Sequence, residues 1–206
     1  MHLLANLSFT DLMDRGGIVM WPLLGLSIIA VTLILERTIF YLTTNGPMRR
    51  ERVYQLGKLL RAGKVDEARQ DAKRDRSVYG NAVSQLLDEA PSESAAVDAV
   101  EAQRGRLERF LPMLSTIITA APMLGILGTV IGIIGAFGEL ELNAGTGNLN
   151  LNELGGDIGQ ALITTAAGIT VALLTLLPYN LFRAQADRSL SRLESLVAAA
   201  LSSNEP

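Results

Sequence analysis

The chain has 206 residues, 49% of them apolar and 19% charged, with a mean hydropathy of +0.29; an average soluble domain carries about 25% charged residues. The absence of cysteine and a single histidine, His2, exclude disulfides, thiolate metal sites, cysteine nucleophiles and any His pair for zinc or a Ser-His arrangement. A net charge of −3 offers no basic footprint for nucleic acid, and the charge deficit is concentrated: Ile18 to Leu35, Phe110 to Gly138 and Ile158 to Phe182 hold no Asp, Glu, Lys, Arg or His.

At about 1.5 Å of rise per residue, each of these stretches crosses or nearly crosses a hydrocarbon core about 30 Å thick. The sequence therefore predicts an all-α, three-span membrane protein rather than a soluble enzyme. Residues 1–16 place Leu3, Leu4, Leu7, Phe9, Leu12 and Met13 at helical spacing, and read either as an amphipathic segment lying on the outer membrane surface or as an irregular terminus. Residues 17–43 read as a retained transmembrane helix and not a secretory signal. No basic region precedes them, and Glu36 and Arg37 follow the apolar run in place of a small-residue cleavage site. Glu36 and Arg37 are a membrane-boundary pair, either bonded to each other or snorkelling to the interface.

Asn45-Gly46-Pro47 breaks the first span, and residues 44–111 form a charged segment rich in helix formers. Helices are expected over 49–61, with Val53, Leu56, Leu59 and Leu60 on one face, over 65–74 and over 79–89. Pro91 stops the third, and Ser92 or Ser94 caps the next. From there the apolar pattern runs through Val97, Val100, Leu107 and Phe110 into the second span, which predicts one long helix over about 93–138. The second span itself occupies 112–138, an acidic loop 139–157, and the third span 158–182. The third span continues into a helical tail over 183–206, where Leu190, Leu193, Leu196 and Val197 keep the stripe. The 44–111 segment holds no phosphate-binding glycine loop, metal-ligand cluster or nucleophile constellation, so it reads as a helical stalk and docking surface that needs no cofactor.

The basic residues orient the chain. Of 18 Lys and Arg, thirteen lie between Gly46 and Arg109, three (Arg183, Arg188, Arg192) in the tail, and none between Glu139 and Asp157. Basic segments stay on the cytoplasmic side, so residues 44–111 and the tail are placed inside, and the N-terminus and the 139–157 loop outside. Three spans require the same alternation.

The faces of spans two and three carry the candidate site. Helix contacts in lipid use small residues and hydroxyls, because lipid supplies no hydrophobic drive for association. Span two has Gly125, Gly128 and Gly132, beside a stripe of Ser115, Thr119, Pro122, Ile126, Thr129, Ile133 and Ala136. Span three has Ala161, Thr165, Gly168, Ala172, Thr175 and Tyr179, with Gln160 and Thr164 beside its outer end. The threonines can bond their own backbone and the glycines can pack helices within one subunit. Two such stripes nevertheless exceed what a three-helix subunit needs, and suggest a face turned to another helix or a wet lumen. Neither span contains Asp, Glu, Lys, Arg or His. Intramembrane carboxylates mark proton relays, so in a proton pathway the titrating group must come from elsewhere.

These stretches resemble the MotA/TolQ/ExbB proton-channel family, in its ExbB/TolQ branch. The resemblance rests on Trp21-Pro22-Leu23-Leu24 with Leu35-Glu36-Arg37, on Leu111-Pro112-Met113-Leu114 leading to the run from Ala121 to Gly132 (APMLGILGTVIG), on Gln160 to Gly168 (QALITTAAG), and on Tyr179-Asn180. It covers about residues 17–185. It implies a pentamer around a pore lined by the second and third spans. It also implies two copies of a single-span partner of the ExbD/TolR kind whose transmembrane Asp titrates in that pore, facing Thr129 and Thr165. It further implies work passed on to a TonB-like protein for outer-membrane transport. A TolQ-like subunit for envelope maintenance or gliding motility is the near alternative, and a passive membrane scaffold the alternative of another class. Two positions depart from the family's pattern: Gln160, often Glu, has no proton to relay, and Leu174, often Pro, leaves Pro178 four residues later.

Overall fold

The computed structural model describes residues 13, 16–44, 46–88, 92–143 and 151–202, with side chains left out at 47–50, 139, 142–143, 151–154, 157 and 160. Among these residues the chain is helical throughout, in seven helices: α1 Met20–Thr44, α2 Pro47–Arg61, α3 Val65–Arg74, α4 Val78–Asp88, α5 Glu93–Leu107, α6 Leu111–Asn143 and α7 Leu151–Ser202. The all-α class and the three spans stand as expected, since α1, α6 and α7 each hold a segment long and apolar enough to cross a membrane. The amphipathic reading of 1–16 falls outside the described residues, apart from Met13 and Gly16, as does the middle of the 139–157 loop.

The chain divides into two compact units: Met1–Ile34 with Met113–Tyr179, and Leu35–Pro112 with Asn180–Pro206. In the first, Val19, Met20, Leu23 and Ala121 form an enclosed core, and Met13, Leu26, Leu124, Ile163, Ala167 and Val171 pack around it. The outward surface is apolar. Ile28 on α1, Met123, Val130 and Phe137 on α6, and Leu162, Leu173 and Leu177 on α7 are all exposed. A water-soluble surface does not present apolar faces of that extent, whereas helices in lipid do, because their backbone groups are satisfied internally.

The second unit packs its helices largely in sequence, α2 on α3, α3 on α4 and α4 on α5. The buried positions follow the helical period: Leu56 and Leu60, Ala68 and Ala72, Val83 with Leu86 and Leu87, Ala95 and Ala99. The α7 tail buries Leu190, Leu193, Leu196 and Val197, and α2 receives Leu196 against Gly57, where a Cβ would stand 3.2 Å from the Leu196 methyl. Gly63 ends α2 with φ 72°. Its amide donates to Leu60 O at 3.0 Å and that of Lys64 to Leu59 O at 3.1 Å, the paired closure that a left-handed residue permits. Ser92 is the cap of α5, accepting from the Ala95 amide at 3.2 Å.

One expected element is corrected. The single helix over 93–138 is two helices, because α5 ends at Leu107 and α6 begins at Leu111. Pro112 favours the break, since in an unbroken helix its ring would meet the Glu108 carbonyl four residues back and it has no amide to give, although Pro122 and Pro178 sit inside continuous helices. The chain turns instead through Phe110 at φ 68°, and the Leu111 amide donates to Glu108 O at 3.0 Å. Helix α7 runs for 52 residues and carries the third span on through Arg183 to Ser202.

Candidate functional site

Where α6 and α7 cross, glycine sets the distance. A Cβ on Gly125 would lie 2.9 Å from both Thr164 O and Thr165 Cα, and one on Gly128 would lie 2.8 Å from Thr164 Cβ. A Cβ on Gly168 would strike the Ala121 carbonyl and stand 3.2 Å from Gly125 Cα. The helices therefore touch backbone to backbone at Gly125 and Gly168, as small residues allow in lipid. Gly132, the other half of the span-two GxxxG pair, is half-buried.

That approach brings two hydroxyls together. Thr129 Oγ1 and Thr165 Oγ1 hydrogen-bond to each other across the pair. Thr129 Oγ1 also lies 3.2 Å from Gly125 O and 3.2 Å from Ala161 O, and Thr165 Oγ1 lies 3.0 Å from Gly125 O. Each hydroxyl has one proton and two lone pairs, so two protons serve all of these contacts and acceptor capacity is left over. Both side chains are half-buried, neither sealed in nor fully exposed. Such a pair can donate to a carboxylate and can accept from a carboxylic acid without itself changing charge.

The other expected site residues separate. Thr164 is 1% exposed, bonded to Ala161 O at 2.7 Å and packed against Gly125 and Gly128. Thr175 is 2% exposed and back-bonds Val171 O at 2.7 Å. These two side chains are enclosed by the chain's own helices. Thr119 is exposed and turns its hydroxyl to Thr116 O at 2.9 Å, and Ser115 is half-buried. The Gln160 side chain falls outside the described residues. No cluster of three or more metal-ligating side chains occurs among the described residues.

The Glu36 and Arg37 pair is an ion pair, with Arg37 Nε 2.5 Å from Glu36 Oε2 and Nη2 2.9 Å from Oε1. Arg37 does not snorkel: it is 2% exposed, with Nη1 donating to Arg106 O at 3.1 Å and standing 3.5 Å from Leu107 O. Phe40 and Phe110 lie under its guanidinium at 4.5 and 5.3 Å from the ring centres. Tyr41, which the sequence reading passed over, donates to Leu107 O at 2.7 Å and stacks on Phe182 at 5.6 Å. Its signal in the sequence was its place one turn after Arg37 on α1.

Residues 70–195 match the sequence profile of the MotA/TolQ/ExbB proton channel family, a span that contains α6 with Thr129 and most of α7 with Thr165. A putative biopolymer transport protein ExbB-like 3 of Synechocystis is 36% identical over 174 residues, 82% of this chain and 81% of that one. The biopolymer transport protein exbB1 of Vibrio cholerae is 30% identical over 194 residues, 91% of this chain and 84% of its own length. A Tol-Pal system protein TolQ of Pseudomonas aeruginosa is 33% identical over 94 residues, 46% of this chain and 39% of that protein.

Proposed function

Because the chain belongs to the MotA/TolQ/ExbB proton channel family, we propose that it is the wall-forming subunit of an ExbB-type motor that turns the proton-motive force into mechanical work on a partner. The subunits assemble as a ring, a pentamer by resemblance, in the bacterial inner membrane. The N-terminus faces the periplasm, and the 44–111 segment and the tail face the cytoplasm, where thirteen and three of the basic residues lie. A single-span partner of the ExbD/TolR kind stands in the ring and supplies a transmembrane Asp, and a TonB-like protein receives the work for outer-membrane transport.

The observation that supports this reading is the Thr129–Thr165 hydroxyl pair on two spans that contain no Asp, Glu, Lys, Arg or His. An isolated carboxylate in a low-dielectric lumen costs several kcal/mol. Beside Thr129 and Thr165 the charged partner acid is hydrogen-bonded. Once protonated, it is neutral and free to pass the apolar wall. The chain's own part is to solvate one charge state at one place and to expose apolar surface elsewhere.

The test is partner-dependent transport in cells, with the partner's Asp replaced by Asn and with an uncoupler added. The reading predicts that each abolishes work while the complex still assembles. A complex equally active without the Asp and indifferent to uncoupler is the scaffold alternative, and overturns the reading. A TolQ-like output is a second reading, favoured by the TolQ match over 94 residues. It is distinguished by which mutant phenotype, TonB-dependent outer-membrane uptake or envelope integrity, the gene restores.

A further inference from the structure

In a continuous helix the carbonyls of Arg106 and Leu107 would accept from the amides of residues 110 and 111. Here the chain is broken at 108–110, and those carbonyls accept from side chains of α1. Arg37 Nη1 donates to Arg106 O at 3.1 Å, and Tyr41 Oη donates to Leu107 O at 2.7 Å. The Leu111 amide, displaced from Leu107 O, donates to Glu108 O at 3.0 Å. The carbonyls at the end of α5 thus have two alternative donor sets, the main-chain amides of residues 110 and 111 or the side chains of Arg37 and Tyr41. Each alternative carries a backbone cost of its own: the broken joint holds Phe110 at φ 68°, and the unbroken helix sets the Pro112 ring against Glu108 O.

We propose that Arg37 and Tyr41 form a latch that holds this joint broken, and that the joint is a two-state device. With the latch engaged, Phe110 is left-handed and α5 stops at Leu107. With the latch released, residues 108–111 take helical backbone and satisfy Arg106 O and Leu107 O themselves. The latch is built as such a part needs to be. The Arg37 charge is 2% exposed and is neutralised by both oxygens of Glu36, which also fix the plane of its guanidinium. The Phe110 ring lies 5.3 Å from Arg37, so the left-handed residue is itself one of the latch's contacts. Tyr41 is pinned by stacking on Phe182 at 5.6 Å. A bare ion pair at a membrane boundary would need neither the two carbonyls nor the two rings.

The experiment uses the full chain in lipid nanodiscs with backbone 13C and 15N in phenylalanine, of which the sequence has five. The Phe110 signal is assigned by its loss in Phe110→Tyr. In the parent protein its shifts report a left-handed residue. In the double variant Arg37→Gln/Tyr41→Phe the proposal predicts a right-handed helical signal, with the ratio of right-handed to left-handed populations raised at least tenfold. In a second set of samples labelled in leucine, with Leu111 assigned by its loss in Leu111→Met, adding Phe110→Gly, which removes the penalty for positive φ, returns the Leu111 amide to its parental shift. A folded double variant with the Phe110 signal unmoved overturns the proposal, and so does one whose Phe110 signal goes to random-coil values. If the double variant does not accumulate, the triple variant is read: restored accumulation supports the latch, and no restoration overturns it.

Discussion

Thr129→Val replaces a hydroxyl with a methyl of similar shape, and its consequences divide by magnitude. If the pair only packs helices, the loss is that of an interhelical side-chain hydrogen bond in a membrane, about 0.6 kcal/mol or roughly threefold in assembly. If Thr129 solvates a partner carboxylate, the loss is a hydrogen bond to a charged group, about 1.5–3 kcal/mol. That lowers the ionised population beside it by roughly 10- to 150-fold and moves the pH midpoint of proton flux upward by about one to two pH units. The sign follows from which charge state the hydroxyl favours: weaker stabilisation of the anion lets the acid keep its proton to higher pH. Thr129 and Thr165 bond each other, so Thr165→Val added to Thr129→Val costs less than the sum of the two. Thr129→Ser, which keeps the oxygen, stays near the parent. The assay is proton flux against pH in proteoliposomes holding the chain with its Asp-bearing partner, with assembly measured in parallel. A Val variant with unchanged flux and pH midpoint, or a Ser variant as impaired as Val, shows that the Thr129 hydroxyl does not solvate the carboxylate.

Gly125→Ala places a Cβ 2.9 Å from Thr164 O and Thr165 Cα, both backbone atoms that cannot swing aside, and overpacking of this kind costs about 1–3 kcal/mol. Gly138→Ala meets nothing within 4 Å and leaves thermal stability in detergent at or above the parent. Gly63→Ala forces a side chain onto φ 72° and lowers stability by about 1 kcal/mol, read in the thermal transition of the full chain. Lys73, 2.9 Å from Asp88 on the surface, holds the Asp88 carboxyl below its ordinary range. Lys73→Met therefore raises its midpoint in an NMR titration. Whatever the pair adds to stability is present above the ordinary Asp range and lost as pH falls through the lowered one.

Much of this architecture is legible because lipid imposes simple rules. Three charge-free stretches of spanning length can be little else than spans, and the distribution of basic residues must agree with their number. Helix α3 was readable residue for residue, because Gly63 before it and the charged, alanine-spaced run within it leave few options. The site was half legible. Thr129 and Thr165 lie on stripes of small and hydroxyl residues, and they do meet. Thr164 and Thr165 are adjacent, about 100° apart around the helix. Which of them turns into the helix contact depends on the rotation of α7 against Gly125 and Gly128, a tertiary fact without a local signal. The break at 108–110 was marked by Pro112, but its helix-like apolar surroundings outweighed it in the periodic pattern. The grip of Arg37 and Tyr41 on Arg106 and Leu107 joins residues 66 to 70 positions apart. No short window of sequence contains it.

In the proposed function this chain supplies an uncharged, hydroxyl-bearing wall, and the acid moving along it belongs to another protein. The test is a cryo-EM structure of the complex purified with a single-span partner of the ExbD/TolR kind. The expected result is a ring with the partner helix in its centre and the partner's carboxyl within hydrogen-bond reach of Thr129 or Thr165 in at least one subunit. A ring with no central cavity, or one whose Thr129 and Thr165 face lipid, contradicts it.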